Sequence, residues 1–185
     1  GVTVQSVGEC FSGLFAASSY SLRNVEMDLV GNGRSDFSGY GAAVVGTGQG
    51  TTLELDGVNI TNSGVVRAGV VARDGANVIV KNSEIQTGDG QLPIDYVPTV
   101  DTEQMRSAPW MLGLSGNARA VNVLGTGTKA SFINSSVASE GWGVLSTDSC
   151  VAPTLAAINT QLSINGGDGY GSYACGGATQ HFLGC

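Results

Sequence analysis

Residues 88–110 hold the side chains that are best suited to chemistry. They include three carboxylates, one guanidinium and two large aromatic rings, on Asp95, Asp101, Glu103, Arg106, Tyr96 and Trp110. Two carboxylates on either side of a sugar can act as the acid and base of glycoside cleavage, and an aromatic ring with polar neighbours can hold a sugar ring. The carboxylates are therefore candidate catalytic residues. The two rings and the guanidinium are candidate ligand-binding groups.

The same stretch interrupts a repeated pattern, and loops on a rigid scaffold often carry binding residues. Three roles remain open for it. In the first role it packs on the scaffold and covers apolar surface. In the second it contacts a glycan or a protein, and in the third it catalyses a reaction. In the first role its apolar members would face inward, namely Ile94, Tyr96, Val97, Met105 and Trp110.

The repeat that surrounds this stretch consists of an apolar, often alternating run, then a small amide or carboxylate, then another apolar residue. Its amide or carboxylate positions are Asn24, Asp56, Asn82, Asn134 and Asn159. Successive members are 32, 26, 52 and 25 residues apart, and Gly184 follows after 25 more. The 52-residue step is either one unit with a long insertion or two units of which one is badly eroded.

A repeat of about 25 residues made of short strands and turns cannot bury its own apolar face, so it must stack on its neighbours. Runs of three to five apolar residues broken by Gly, Asn, Asp or Ser do not fit helical repeats. We therefore expect an all-β chain in which each repeat is one coil of a parallel β-helix, a solenoid with parallel strand pairing. Residues 1–185 form a single domain in this interpretation, a segment of a longer protein with an insertion at 88–110.

The recurring amide has a structural explanation. Asn tolerates the left-handed backbone conformation at a sharp bend between strands, and stacked Asn amides can hydrogen-bond along a ladder. We expect Asn24, Asp56, Asn82, Asn134 and Asn159 to occupy such bends, with no role in ligand binding.

Composition excludes several classes of partner. The net charge is −7 and only 12% of residues are charged, so no basic cluster exists for nucleic acid or an anionic membrane. No apolar run approaches the length of a membrane span. The four cysteines form no C-x-x-C pair, and we expect neither a metal site nor a cofactor. Cys150 and Cys175 are 25 residues apart, one coil, and we expect a disulfide between them.

The sequence pattern of residues 46–60 resembles the repeats of the right-handed parallel β-helix superfamily with the pectin-lyase-like fold. These residues read Gly-Thr-Gly-Gln-Gly-Thr-Thr-Leu-Glu-Leu-Asp-Gly-Val-Asn-Ile. It is most similar to the non-enzymatic surface repeats of bacterial autotransporter passengers. The resemblance implies a right-handed coil and a secreted or cell-surface location. The catalytic motifs of polygalacturonases, Asn-Thr-Asp, Asp-Asp, Gly-His-Gly and Arg-Ile-Lys, are missing from the sequence. Residues 159–161 read Asn-Thr-Gln, and the one histidine, His181, is followed by Phe182.

Two functions follow as expectations. The first is a non-catalytic extracellular or cell-surface module, part of an adhesin, passenger or fibre, with a glycan or surface protein contacting the 88–110 loop. The alternative is a fragment of a polysaccharide lyase or glycoside hydrolase. Because an open β-helix exposes pairing edges at its ends, we also expect another chain or a further segment of this protein to stack on a terminal coil.

Overall fold

The structure, a computed structural model, describes residues 1–35, 37–97, 116 and 119–185. These residues form eighteen strands and no helix. In chain order the strands are β1 (Val2–Ser6), β2 (Leu14–Ala16), β3 (Tyr20–Arg23), β4 (Val25–Val30), β5 (Val44–Thr47), β6 (Thr52–Asp56), β7 (Asn59–Ser63), β8 (Val70–Arg73), β9 (Asn77–Lys81), β10 (Glu84–Gly88), β11 (Arg119–Thr126), β12 (Lys129–Ile133), β13 (Ser136–Ser139), β14 (Trp142–Val151), β15 (Thr154–Ile158), β16 (Gln161–Ile164), β17 (Gly169–Tyr173) and β18 (Thr179–Leu183).

The strands form three parallel sheets of six. Sheet A has the order β1-β4-β7-β10-β13-β16, sheet B has β2-β5-β8-β11-β14-β17, and sheet C has β3-β6-β9-β12-β15-β18. The chain passes through sheets A, B and C in turn, and each strand from β4 onward pairs with the strand three before it. The all-β prediction is confirmed for the described residues, and the three parallel sheets are consistent with a β-helix solenoid.

In the interior strands of sheets A and C, buried and outward positions alternate, which is the period of a half-buried strand. In β6, for example, Leu53 and Leu55 are buried while Glu54 lies outward. The buried column of sheet C continues through Val78 and Val80 to neighbouring coils. The inward side chains of all three sheets meet in one apolar core.

Sheet B follows a different pattern because two consecutive residues of the β5, β11 and β14 regions reach the central core. In the β5 region Ala43 and Val44 join the central core, whereas Ala42 and Val45 pack in a separate outer cluster. This out-in-in-out pattern gives sheet B an outer surface with two columns of side chains. The N-terminal part of that surface is covered, since Phe37 packs on the outer cluster.

One left-handed residue follows directly after each sheet C strand. These residues are Asn24, Gly57, Asn82, Asn134, Asn159 and Gly184, with φ between 47° and 64°. Side chains at or beside these bends also hydrogen-bond from coil to coil: Asn82 Nδ2 donates to the Asp56 carboxylate Oδ1 at 2.8 Å, and Asn159 Nδ2 donates to the Asn134 amide Oδ1 at 2.9 Å.

Asp56 does not occupy the bend that its place in the sequence repeat suggested. It is the last residue of β6, paired with Lys81, and Gly57 after it takes the left-handed conformation with φ of 64°. Glycine adopts this conformation without a steric penalty. Asp56 serves the ladder only as the acceptor for Asn82.

A second ladder of hydroxyl groups lies directly after the bend. Ser83, Ser135 and Thr160 are buried, and each accepts a backbone N–H from the preceding coil. Each hydroxyl also donates to the carbonyl two residues before it, at 2.6 to 3.0 Å. These bonds satisfy polar groups that would otherwise be buried without partners.

Arg67 is fully buried between neighbouring coils near the N-terminal end. Its Nη1 donates to the carbonyl of Gly31 and its Nη2 to that of Phe11, both at 2.7 Å. Its Nε has no hydrogen-bond partner. Burial lowers the pKa of this guanidinium from its ordinary value, while the nearby Cys10 acts in the opposite direction. Arg67 therefore clamps two backbone segments.

Candidate functional site

The predicted site residues fall partly within the described ranges. The segment between β10 and β11 spans residues 89–118, of which the structure describes 89–97 and 116. Asp95 is exposed, and Tyr96 is half-buried with its N–H bonded to the Pro93 carbonyl at 2.9 Å. The other predicted residues lie outside the described residues: Asp101, Glu103, Arg106 and Trp110.

The first part of the insertion is hydrogen-bonded to the scaffold at two residues, Asp89 and Gln91. Asp89 N–H donates to Glu140 Oε2 at 2.6 Å, and Asn32 Nδ2 donates to the Gln91 carbonyl at 3.3 Å. Leu92 packs on a small buried cluster. Ile94 and Val97 are exposed, unlike the covering role that the packed-down alternative gave them.

A group of aromatic residues gathers on the outer surface of sheet B over β14 and β17. Tyr170 pairs in register with Gly143, and Tyr173 pairs with Ser146, so the two tyrosines extend the two outer columns. Their ring centroids are 5.9 Å apart with the planes tilted by 47°. A Cβ on Gly143 would come within 2.5 Å of Tyr170 Cζ, so the Tyr170 ring lies directly over this glycine.

Arg119 lies beside this group and is almost completely buried, at 3% exposure. Its Nη1 donates to Ser146 Oγ at 2.8 Å and to Asp148 Oδ2 at 3.1 Å. Its Cζ lies 5.6 Å from the ring centroid of Phe37 and 5.7 Å from that of Trp142. Cations over aromatic faces are attracted to the ring quadrupole, so Arg119 holds the Trp142 ring in place.

The backbone of β14 is irregular at the same place. Trp142 and Ser149 have φ of 57° and 46°, in the left-handed region where bulky residues are uncommon. The register of β14 against β11 shifts by one residue between Val123 and Gly125, which is a β-bulge. Bulges and strained residues concentrate next to functional sites, where they redirect side chains. This bulge contains Asp148, the partner of Arg119.

The predicted Cys150–Cys175 disulfide is not formed, and all four cysteines are free. The two residues do lie on adjacent coils, but Cys150 Sγ donates to the Cys175 carbonyl at 3.4 Å. Left-handed residues flank Cys150 at Ser149 and Ala152, so its side chain is not aligned as in a regular pair of strands. Burial, then Cys175 and Asp148, raise the pKa of the Cys150 thiol to about 11.

The sequence pattern did not identify this aromatic surface, which we define as Trp142, Tyr170 and Tyr173. One signal was present, because Trp142 and Tyr170 are 28 residues apart, close to one repeat, and aromatic residues make up only 6% of the chain. The bulge and the two-residue inward step of sheet B determine which side chains face outward, and neither can be read from the repeat.

Two further properties concern the described parts of the chain. There, no three His, Cys, Asp or Glu side chains come together in a group that could hold a metal ion. A helix of the length and hydropathy needed to cross a bilayer is likewise not found among those residues.

The fold and the site define an all-β protein of three parallel sheets with an aromatic outer surface. The chain matches no protein-family model, and no curated protein or solved structure is significantly similar to it.

Proposed function

We propose that the chain is a non-catalytic extracellular or cell-surface module, a right-handed β-helix of the pectin-lyase-like type with about 25 residues per coil. In this role it is a rigid scaffold of an adhesin, passenger or fibre that presents a contact surface to a glycan or a protein. One observation carries the proposal: parallel strand pairing runs through all six strands of each sheet, with a register shift at the bulge between β11 and β14.

The continuous parallel pairing supports a scaffold because each coil is held by its neighbours. The bends repeat the same left-handed conformation, and amide and hydroxyl ladders connect them from coil to coil. In repeat proteins of this kind, stability is the sum of the coils and their interfaces. Such a structure holds side chains on its outer surfaces at fixed spacings.

The electrostatics of the aromatic surface also favour contact over catalysis. Asp148 is its carboxylate, and Oδ2 accepts from Arg119 while Oδ1 accepts from the Ser149 N–H at 2.7 Å. A general acid or base must be able to exchange a proton with the substrate. Both oxygens of Asp148 are instead used to hold Arg119 and the bulge.

The terminal coils and the insertion are further parts of the proposed contact surface. Phe182 and Leu183 are exposed on β18, the edge strand of sheet C, and Tyr20 is exposed on β3 at the opposite edge. Exposed apolar residues on unpaired edges favour association. Stacking of another chain, or of a further segment of this protein, on a terminal coil is therefore part of the proposal.

The test uses the full chain with a panel of plant, fungal and bacterial polysaccharides. Binding is measured by pull-down on insoluble or immobilised polysaccharide and on intact cell surfaces. Cleavage is measured in the same samples as new reducing ends and as absorbance of unsaturated products. Binding without cleavage is the expected result. Catalytic turnover of any polysaccharide would refute the non-catalytic role and establish a lyase or hydrolase.

A further inference from the structure

We infer that the aromatic surface of Trp142, Tyr170 and Tyr173 is a binding site for a neutral glycan, with a sugar ring stacked on the two tyrosines. This inference rests on the proposed function and deepens it, because it names the ligand class and moves the contact from the insertion to sheet B. The site is built on strands of the scaffold, which hold side chains more precisely than loops do.

The two tyrosines form an accessible pair. Tyr173 is 44% exposed and Tyr170 is half-buried, with the Tyr170 ring resting on Gly143. The tilt of 47° and the centroid separation of 5.9 Å leave an angled aromatic surface between the rings. The C–H groups on one face of a pyranose are apolar, and a rigid aromatic ring can cover them at low entropic cost.

Polar groups around the rings are fixed before any ligand arrives. Arg119 is bonded to Ser146 and Asp148 and stacked on Trp142, so the tryptophan ring has a defined orientation. The neighbouring Cys175, then Asp148, raise the pKa of the Tyr173 phenol above its ordinary value. A tyrosine phenol carries its proton at neutral pH in any case, so its hydroxyl can donate to a sugar oxygen.

Charge favours a neutral glycan over an acidic one. The chain has a net charge of −7, and Asp148 adds a carboxylate beside the rings. The guanidinium of Arg119 has its Nη1 committed to Ser146 and Asp148 within the protein. A polyuronate would meet repulsion that a neutral chain does not experience. The expected ligand is therefore a neutral glycan and not a polyuronate.

The test measures affinity of the full chain for cellohexaose, mannohexaose, xylohexaose and chitohexaose, and for a hexamer of galacturonic acid, by calorimetry or ligand-observed NMR. At least one neutral hexamer should bind more tightly than the acidic hexamer. Tyr173→Ala should weaken that binding by about threefold to tenfold, the usual contribution of one aromatic contact. If no neutral hexamer binds, or the acidic hexamer binds as tightly, the inference is wrong.

Gly143→Ala provides a sharper variant because it leaves every aromatic residue in place. The added Cβ would meet the far end of the Tyr170 side chain, which must swing away, and Gly143 has no left-handed φ that would oppose the substitution. We expect the same loss of binding with little change in stability. The matched control is Tyr40→Ala, an exposed tyrosine between β4 and β5 that should leave affinity unchanged.

Binding that survives both Gly143→Ala and Tyr173→Ala would also overturn the site. Chromatography of the same mixtures separates this outcome from failure of the proposed function. Shortened oligosaccharides would contradict the non-catalytic module, whereas intact oligosaccharides with unchanged binding in the variants would contradict only the aromatic site.

Discussion

The bend residue Asn134 allows the two roles of the asparagine ladder to be separated by substitution. Its backbone has φ of 49°, and its Oδ1 accepts a hydrogen bond from Asn159 Nδ2 at 2.9 Å. Asn134→Ala removes the hydrogen bond and puts into the left-handed region a residue that has no polar side chain to hydrogen-bond locally. Asn134→Gly removes the same bond but accepts the conformation freely.

The expected costs follow from these two terms. The left-handed conformation costs an ordinary L-residue roughly 1–2 kcal/mol, and an exposed side-chain hydrogen bond contributes about 0.5 kcal/mol. Asn134→Ala should therefore lower the free energy of unfolding by about 2 kcal/mol. Asn134→Gly should lower it by about 1 kcal/mol, from the lost bond and the greater freedom of glycine in the unfolded chain. The difference corresponds to a melting temperature about 2–4 °C higher for the Gly variant.

The assay is urea and thermal unfolding followed by far-ultraviolet circular dichroism. Ser131 lies in the adjoining strand β12 and has no left-handed φ, so Ser131→Ala and Ser131→Gly form a matched control pair. At Ser131 alanine should be the more stable substitution, which is the usual order in regular structure. If alanine is also equal to or better than glycine at Asn134, the bend does not require the left-handed conformation and the explanation of the ladder fails.

Three further predictions concern the core and the buried polar groups. Arg67→Met should lower the free energy of unfolding by about 3 kcal/mol. Two backbone carbonyls lose their hydrogen-bond donor, and removal of the buried charge offsets part of that loss. An unchanged free energy of unfolding in a denaturant titration would contradict the role of Arg67 as a clamp. Phe132 is fully buried in the central core, so Phe132→Ala should cost about 3–5 kcal/mol in the same titration, and a cost below 1 kcal/mol would contradict its central packing. Because the pKa of Cys150 is raised to about 11, its thiol should react with iodoacetamide at pH 8 more slowly than those of Cys10 and Cys185, which are exposed. The unfolded chain releases this proton at lower pH than the folded chain, so stability should also fall as pH rises from the ordinary thiol pKa to about 11, and Cys150→Ser should remove that dependence.

The strands could be predicted from sequence because their physical cause is local. Alternation of apolar and polar residues, as at Leu53, Glu54 and Leu55, determines which side chains are buried and indicates strands directly. Stacking of the strands then follows from the short repeat, since no single coil can bury its own apolar side. Parallel pairing of Leu55 with Val80 on the next coil is the result.

The bends were predictable in kind but not always in position. At Asn82 and Asn134 the residue type and the conformation agree. The side-chain pattern placed one bend at Asp56, which is one residue too early, because Gly57 adopts the left-handed conformation without a polar side chain. An alignment of repeats by side-chain chemistry therefore misplaces a bend wherever glycine replaces asparagine.

The hydroxyl ladder shows why packing around the bend was harder to predict. The residue after the bend is valine at positions 25 and 58, then Ser83, Ser135 and Thr160. Valine and the hydroxyl residues both suit a buried position after a turn. The residue types alone therefore do not show that the hydroxyl groups form a separate ladder. Only the stacked geometry shows that each hydroxyl bonds the N–H of the coil before it.

The aromatic surface depends on three residues whose neighbours come from other coils. Tyr170 faces outward over Gly143 because sheet B places two consecutive residues in the core, and this step reverses the alternation that holds in sheets A and C. Strict alternation from the buried Leu145 would have directed Gly143, and with it Tyr170, into the interior. Because the strands of a parallel sheet pair in register, a change in which residues of one strand face outward also determines which residues of neighbouring strands lie beside them on the surface. Long-range pairing of this kind determines which residues can meet a ligand.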